Sequence, residues 1–337
     1  MAEMRSPELI FFGGKGGVGK STTSAATATF LAKLKPDKKI LLISFDMAHN
    51  LSDIFSLEIG DKITQILDNL WAIEPDAERY TEEFTKEFVE KARALVKTIP
   101  LVKQLSNLDE YIDETYSAAS IPLAVKNSIF FEEIITKSQD YDIFVIDMPP
   151  TGNMISIFEV PKTSIQVLLK NTLETIDKVR KFVKTLKNLN PANWFRSTNE
   201  KRKNLAKDLL EMLRELDRRG DKIIKLLKEN SSLRFVSIPE RPSFEEIKRA
   251  SAIVEKYVKL DGVVINKIIQ HDNGCPHCNM ESINQKKYIK LIEDEFKGKK
   301  IWKGYKFDEE ALGIEKMIEF AEIIYEGQDF DEILHPN

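Results

Sequence analysis

The chain is short of cysteine, of long apolar runs and of any strong excess of charge. Two cysteines in 337 residues cannot make a disulfide framework, which points to a reducing, cytosolic setting. The longest unbroken apolar runs are a few residues, as at Ile40 to Ile43, far below the ~20 that a bilayer-spanning helix requires. No stable membrane insertion is expected. Met1 to Phe12 runs straight into Gly13-Gly14, too short and wrongly flanked for a secretory signal. A net charge of −4 argues against nucleic acid as a general partner. Internal repeats and low-complexity segments are also missing. What is present is a globular composition: 42% apolar and 31% charged residues exclude wholesale disorder. The length suffices for one large α/β domain or two ordinary ones.

The apolar runs themselves are informative. Leu9 to Phe12, Lys39 to Ile43, Ile143 to Ile146, Phe235 to Ile238 and Val263 to Ile265 are continuous rather than alternating, with Ile301-Trp302 as a weaker candidate. Such runs are strands buried on both faces. A stretch rich in Ala, Ser and Thr from Lys20 to Leu34 reads as a helix, and helical segments separate the other strands. Strands alternating with helices predict an α/β fold with a doubly wound, mostly parallel sheet. Two stretches do not fit that repeat. Residues 76–138 show no strand and read as helices broken near Pro100 and Pro122. In residues 161–231, Ile165, Leu168, Leu169, Leu173, Ile176, Val179, Val183 and Leu186 recur every three or four positions, as in an amphipathic helix. After the turn at Asn190-Pro191-Ala192-Asn193, a second periodic run contains Leu205, Leu209, Met212, Leu213 and Leu216. The expected organisation is a discontinuous sheet domain (1–75, 139–160 and 232–337) with a helical insert subdomain (76–138 and 161–231). The second insert is rich in Lys and Arg.

Gly14-Lys15-Gly16-Gly17-Val18-Gly19-Lys20-Ser21 matches G-x-x-x-x-G-K-[ST] between a strand and a helix. Glycines allow successive backbone N–H groups to turn inward around an anion, and the following helix directs its positive dipole end to the same point. Lys20 is placed to neutralise β/γ-phosphate charge and Ser21 to ligate Mg²⁺. This is a nucleotide-binding loop, with Thr22 as the next residue of the set. The additional Lys15 resembles the deviant P-loop of the MinD, ParA, arsenite-pump and nitrogenase iron-protein group. That resemblance implies that Lys15 reaches across a dimer interface to the partner's nucleotide.

Ser44-Phe45-Asp46-Met47-Ala48-His49-Asn50-Leu51-Ser52-Asp53 narrows the resemblance. It is similar to the first switch, S-T-D-P-A-H-N-L-S-D, of the arsenite-pump and tail-anchored-protein targeting (GET-pathway) ATPases, and differs only at Phe45 and Met47. The resemblance implies that Asp46 orients or deprotonates the attacking water and that His49 and Asn50 belong to a moving loop, Asn50 with the nucleotide contacts. From the residues alone, Asp46 is expected to end a strand beside the P-loop strand, where an acid can approach a γ-phosphate. Asp147 closes another apolar strand and is followed by Met148-Pro149-Pro150-Thr151-Gly152, which reads as a Walker-B aspartate for Mg²⁺ plus a second switch. Pro150, Thr151 and Gly152 match the family pattern, while Met148, Pro149, Asn153 and Met154 depart from it. Pro239-Glu240 with Ser243, Glu246 and Arg249 matches the family's P-E-x-x-S-x-x-E-x-x-R segment. Asn266 stands where the family contacts adenine. The guanine motif N-K-x-D fails here because Ile269 cannot accept hydrogen bonds from guanine, so ATP is favoured over GTP.

Cys275-Pro276-His277-Cys278 holds both cysteines. A redox pair, a structural zinc site and two unligated thiols are all open readings. Two thiolates supply half of a tetrahedral zinc shell, and the same pair from a second subunit would complete Cys₄ on a two-fold axis. The resemblance implies that shared Zn²⁺. It further implies a cytoplasmic homodimeric ATPase that binds tail-anchored membrane proteins in a helical groove and meets a membrane receptor. The alternatives are the ATPase subunit of an arsenite efflux pump and a MinD/ParA-like positioning ATPase. A soft metalloid site needs about three thiolates, which weighs against the pump.

Overall fold

The computed structural model describes residues 7–46, 50–76, 136–158, 221–270, 276–307 and 309–336, together with isolated positions between them. The chain divides into two compact units, residues 1–76, 132–158 and 224–337 in one and residues 77–131 and 159–223 in the other. The first is described here. The helical breaks near Pro100 and Pro122, the apolar stripes from Ile165 to Leu186 and from Leu205 to Leu216, and His49, His271 and Cys275 lie outside the described residues.

The sheet is built from β1 (Glu8–Gly13), β2 (Ile40–Ser44), β3 (Thr64–Leu67), β4 (Leu70–Ile73), β5 (Ile143–Asp147), β6 (Ser231–Ser237), β7 (Lys259–Ile268) and β8 (Lys300–Tyr305). Its order is β3-β4-β2-β5-β1-β6-β7-β8. Every pair is parallel except β3 with β4. Residues of β2 and β5 are buried throughout, as their unbroken apolar runs require in a sheet covered on both faces. The helices are α1 (Lys20–Leu34), α2 (Asn50–Phe55), α3 (Thr151–Phe158), α4 (Arg241–Val254), α5 (Pro276–Glu295), α6 (Gly313–Ile324) and α7 (Phe330–Leu334). None of the described helices is long and apolar enough to cross a membrane.

Four strands differ from the sequence-based expectation. The hairpin β3–β4 was not expected, because its four-residue strands are too short to show a pattern. β6 starts at Ser231, ahead of Phe235, because Arg234 lies inside it. That arginine is fully buried: its guanidinium stacks 4.8 Å from the Trp302 ring, Nη1 donates to the Tyr325 hydroxyl at 3.1 Å and Nη2 donates to the Ile333 carbonyl. Aromatic faces and neutral acceptors replace the usual carboxylate. β7 extends from Lys259 to Ile268 across Gly262, where a Cβ would run into the Lys300 backbone carbonyl of β8.

α1 is helical for reasons hydrophobic patterning does not capture. Nearly all of it is buried, although it contains six Ser and Thr between Ser21 and Thr29. Thr23, Thr27 and Thr29 donate to the carbonyls four residues back, at 2.7, 2.7 and 2.8 Å, and Ser24 donates to Ser21 at 3.0 Å. With its hydroxyls satisfied on its own backbone, the helix packs against the sheet without a polar penalty.

Candidate functional site

The carboxyl ends of the parallel strands carry the site. β1 lies in the middle of the sheet between β5 and β6, and the chain leaves it through the glycine loop into α1. Ligands of open α/β sheets bind in this crevice. Gly14, Gly17 and Gly19 have positive φ of 153°, 79° and 96°. A Cβ on Gly14 would strike the Val236 carbonyl, and one on Gly19 would strike the Asn266 amide. Gly16 and Gly17 instead face open space. The loop therefore keeps a cradle that side chains would fill, with free room on its crest.

Lys20 opens α1 and is 4% exposed. Its Nζ donates to the Lys15 carbonyl at 3.3 Å and lies 3.8 Å from Asp46 Oδ2. Asp46 is not on the strand next to β1. It lies two residues beyond the end of β2, and β5 lies between β2 and β1, which corrects the expectation. Asp46 is brought to the site by a local link instead: its N–H donates to Ser44 Oγ at 3.3 Å, Ser44 Oγ donates to Asp147 Oδ2 at 3.2 Å, and the Phe45 N–H donates to the Asp147 carbonyl at 2.8 Å.

Asp147 is completely buried. Desolvation pushes its carboxyl up to about 7, against the smaller opposing effects of a hydrogen bond from Ser21, the charge of Lys20 and the bond from Ser44; Asp46 adds to the rise. Among the described residues, its Oδ1, like the buried Oγ1 of Thr151 at the start of α3, has no hydrogen-bond partner. A buried carboxylate beside a hydroxyl, with an orphaned oxygen, is a donor set suited to a hard divalent cation such as Mg²⁺. Among the described residues there is no group of three or more His, Cys, Asp and Glu able to hold a metal. Cys278 falls in the first turn of α5, and the position of its side chain is not described.

The remaining predicted residues have specific partners. Lys15 Nζ lies 3.3 Å from Glu240 Oε1, with both side chains about two-fifths exposed. Asn266 is 4% exposed; its Nδ2 donates to the Val18 carbonyl at 2.9 Å and its Oδ1 accepts from the Lys267 N–H at 2.8 Å. Nδ2 carries two hydrogens, so the bond to Val18 uses one donor and leaves a second. Ser243 of the P-E segment receives the Ile238 N–H at 3.3 Å and meets Ser237 Oγ at 2.9 Å, fixing the chain between β6 and α4. Asn50 begins α2, and Ser21 and Thr22 lie in the first turn of α1.

Two residues were missed by sequence reasoning. Glu74, 2% exposed, accepts the Leu51 N–H of α2 at 2.9 Å and so holds the helix that follows Met47 to His49. Its position after the short apolar run Leu70 to Ile73 was the available signal. Gln285 of α5 reaches Lys267 and Ile269, and nothing in its sequence surroundings marks it.

A glycine loop between β1 and α1, a buried lysine at the start of that helix and an aspartate at the end of a neighbouring parallel strand define a P-loop nucleotide hydrolase. A family model described as anion-transporting ATPase matches residues 7–326. An Aquifex aeolicus protein provisionally named arsenical pump-driving ATPase 2 is 30% identical over 318 residues, 94% of this chain and 98% of that one. ATPase get3 of Pyrenophora tritici-repentis is 30% identical over 332 residues, 96% and 92% of the two chains. ATPase ASNA1 homolog 1 of Paramecium tetraurelia is 28% identical over 330 residues, 96% and 93%. The chain belongs to the anion-transporting ATPase family, and it is an ATPase that uses ATP and Mg²⁺.

Proposed function

We propose that this ATPase is a cytoplasmic homodimeric switch that binds tail-anchored membrane proteins, shields their transmembrane segment and delivers them to a membrane receptor. The shield is a groove formed by the helical insert subdomain, residues 76–138 and 161–231, from two subunits. A 20-residue apolar helix is about 30 Å long, and inserts of this size supply helices of that reach. The observation that carries the reading is the cysteine count. No cysteine stands outside Cys275 and Cys278, so a single chain cannot supply the three thiolates of a soft metalloid site. The pump reading is favoured by the name of the Aquifex aeolicus relative, but it must find that site elsewhere.

The residue roles follow from charge and position. The backbone of Gly14 to Ser21 and Thr22 cradles the phosphates, and Lys20 neutralises their charge. Ser21 and Asp147 hold Mg²⁺, the latter through water. Bound there, Mg²⁺ would offset the negative charge that develops on the phosphate. Asp46 orients the attacking water and takes up its proton, Lys15 leaves Glu240 to reach the partner's nucleotide, and Asn50 and Asn266 touch the nucleoside. Cys275 and Cys278 of each subunit would hold a shared Zn²⁺ and so tie the two subunits together.

The test is co-expression of the Asp46→Asn variant with a tail-anchored membrane protein, followed by purification without detergent. General-base or water-positioning groups contribute roughly 10²–10⁴-fold to rate, so this variant should accumulate in the ATP-bound state. A soluble complex that disappears when the apolar tail is deleted supports the proposal. An empty ATP-bound dimer would leave the ATPase intact and move the function to a pump subunit.

A further inference from the structure

β7 ends in an unusual way. Lys267 has φ of +56°, and among the described residues it shares a positive φ outside glycine only with Ser56. Left-handed backbone is unfavourable for a residue carrying a Cβ, and here it coincides with a register shift between Ile265 and Ile268 in the pairing of β7 with β8. One side chain from α5 grips this turn on both sides. Gln285, 9% exposed, donates through Nε2 to the Lys267 carbonyl at 3.3 Å and accepts at Oε1 from the Ile269 N–H at 2.9 Å.

The turn in turn holds the phosphate loop. Lys267 Nζ donates to the Gly17 carbonyl at 2.8 Å, beside the bond from Asn266 Nδ2 to the Val18 carbonyl at 2.9 Å. Two consecutive side chains thus pin two consecutive carbonyls. For an anion to be cradled, loop N–H groups must converge on it while the carbonyls point away. Packing does not enforce this at the crest, since a Cβ on Gly16 or Gly17 would touch nothing within 4 Å. The hydrogen bonds to Gly17 and Val18 are what fix the orientation of the peptide groups there.

We infer that Lys267 and Gln285 are positioning residues for nucleotide binding: α5, whose first turn carries Cys278, sets the affinity of the P-loop through Gln285, the 267–269 turn and Gly17. This rests on nucleotide binding alone and is independent of any client protein or metal. Because the brace acts on bound ground state and transition state alike, its loss raises KM and leaves kcat.

The test measures dissociation constants for a fluorescent ADP, and KM and kcat for ATP, on the full chain. Lys267→Gly keeps the left-handed turn and removes the ammonium; it should weaken ADP binding and raise KM by about 3–10-fold, with kcat within about twofold, the range expected for one charge-assisted hydrogen bond at an exposed site. Lys267→Arg, which still donates, should recover affinity to within about twofold. Gln285→Ala should match Lys267→Gly, and the double variant should be no weaker than the poorer single one, since both act along one path. If Gln285→Ala does not fold, Gln285→Glu retains the acceptor for Ile269 and loses the donor to Lys267, and should show the same defect. Unchanged ADP affinity in Lys267→Gly overturns the inference, as do multiplicative losses in the double variant or a lowered melting temperature of Gln285→Ala with unaltered affinity.

Discussion

Asp147 shows how one side chain acquires a property that its neighbours in sequence do not convey. Its place after Val145-Ile146 marks it as the acid at a strand end, but its shift to about 7 comes from complete burial between β1 and β2. The folded chain therefore holds a proton that the unfolded chain releases near the ordinary value of 3.8. From pH 3.8 to 7 the unfolded state progressively gains from ionisation, so stability falls as pH rises through this window and levels off above it. Asp147→Asn removes the penalty. In urea unfolding of the nucleotide-free protein, the variant should gain about 2 kcal/mol over the parent between pH 5 and pH 8. A stability difference that is the same at both pH values would show that the carboxyl carries no such burden. Asn266 makes a related point. Its amide nitrogen braces Val18, a contact between residues far apart in the chain that the adenine role implied by the resemblance did not foresee.

At the scale of elements, the unit comprising β1, the glycine loop and α1 was the most legible part. Glycine placement, a lysine and a hydroxyl at the helix start are local requirements, and the loop adopts the positive φ values that those glycines permit. Gly19 is constrained in two ways: φ is +96° and the Asn266 amide occupies the space of a Cβ. Gly19→Ala should lower stability by about 1–3 kcal/mol and abolish ADP binding, read by thermal unfolding and calorimetry. Retained affinity would mean that the loop can rearrange around Asn266. β6 and β7 were only partly legible, since Arg234, Asp261 and Gly262 interrupt their apolar pattern. The interruptions are explained by an aromatic cage around Arg234 and by the close approach of β8 at Gly262.

At the scale of the whole molecule, the sheet brings Lys20, Asp46 and Asp147 together from three separate segments, and the Phe45 N–H bond to Asp147 ties the ends of β2 and β5. The helix that opens with Pro276 carries both Cys278 and Gln285, so Cys278 and the P-loop brace share one element. Within the proposed dimer, Cys275→Ser leaves too few thiolates for a closed zinc shell. Metal analysis should find the variant free of zinc, and sedimentation should find it dissociating at concentrations where the parent remains a dimer. A metal-free variant that dimerises as tightly as the parent would contradict the shared site. Met154, one of the few methionines near the proposed inserts, is fully buried and fills the space beside Gly13, so it contributes to the core and not to a client surface.

The nature of the nucleotide loop and the parallel character of the sheet could be read from the chain alone. Each is encoded within a few neighbouring positions, by glycine conformation, by continuous apolar runs and by the short reach of a lysine or hydroxyl at a helix start. Strand order, the hairpin β3–β4, the distance of Asp46 from the P-loop strand, the raised pKa of Asp147 and the Gln285–Lys267 brace became visible only in the folded chain. These depend on which distant segments exclude water from one another and which donors then find the carbonyls left exposed. Such pairings are settled by the packing of the sheet as a whole, and no local stretch of sequence contains both halves of them.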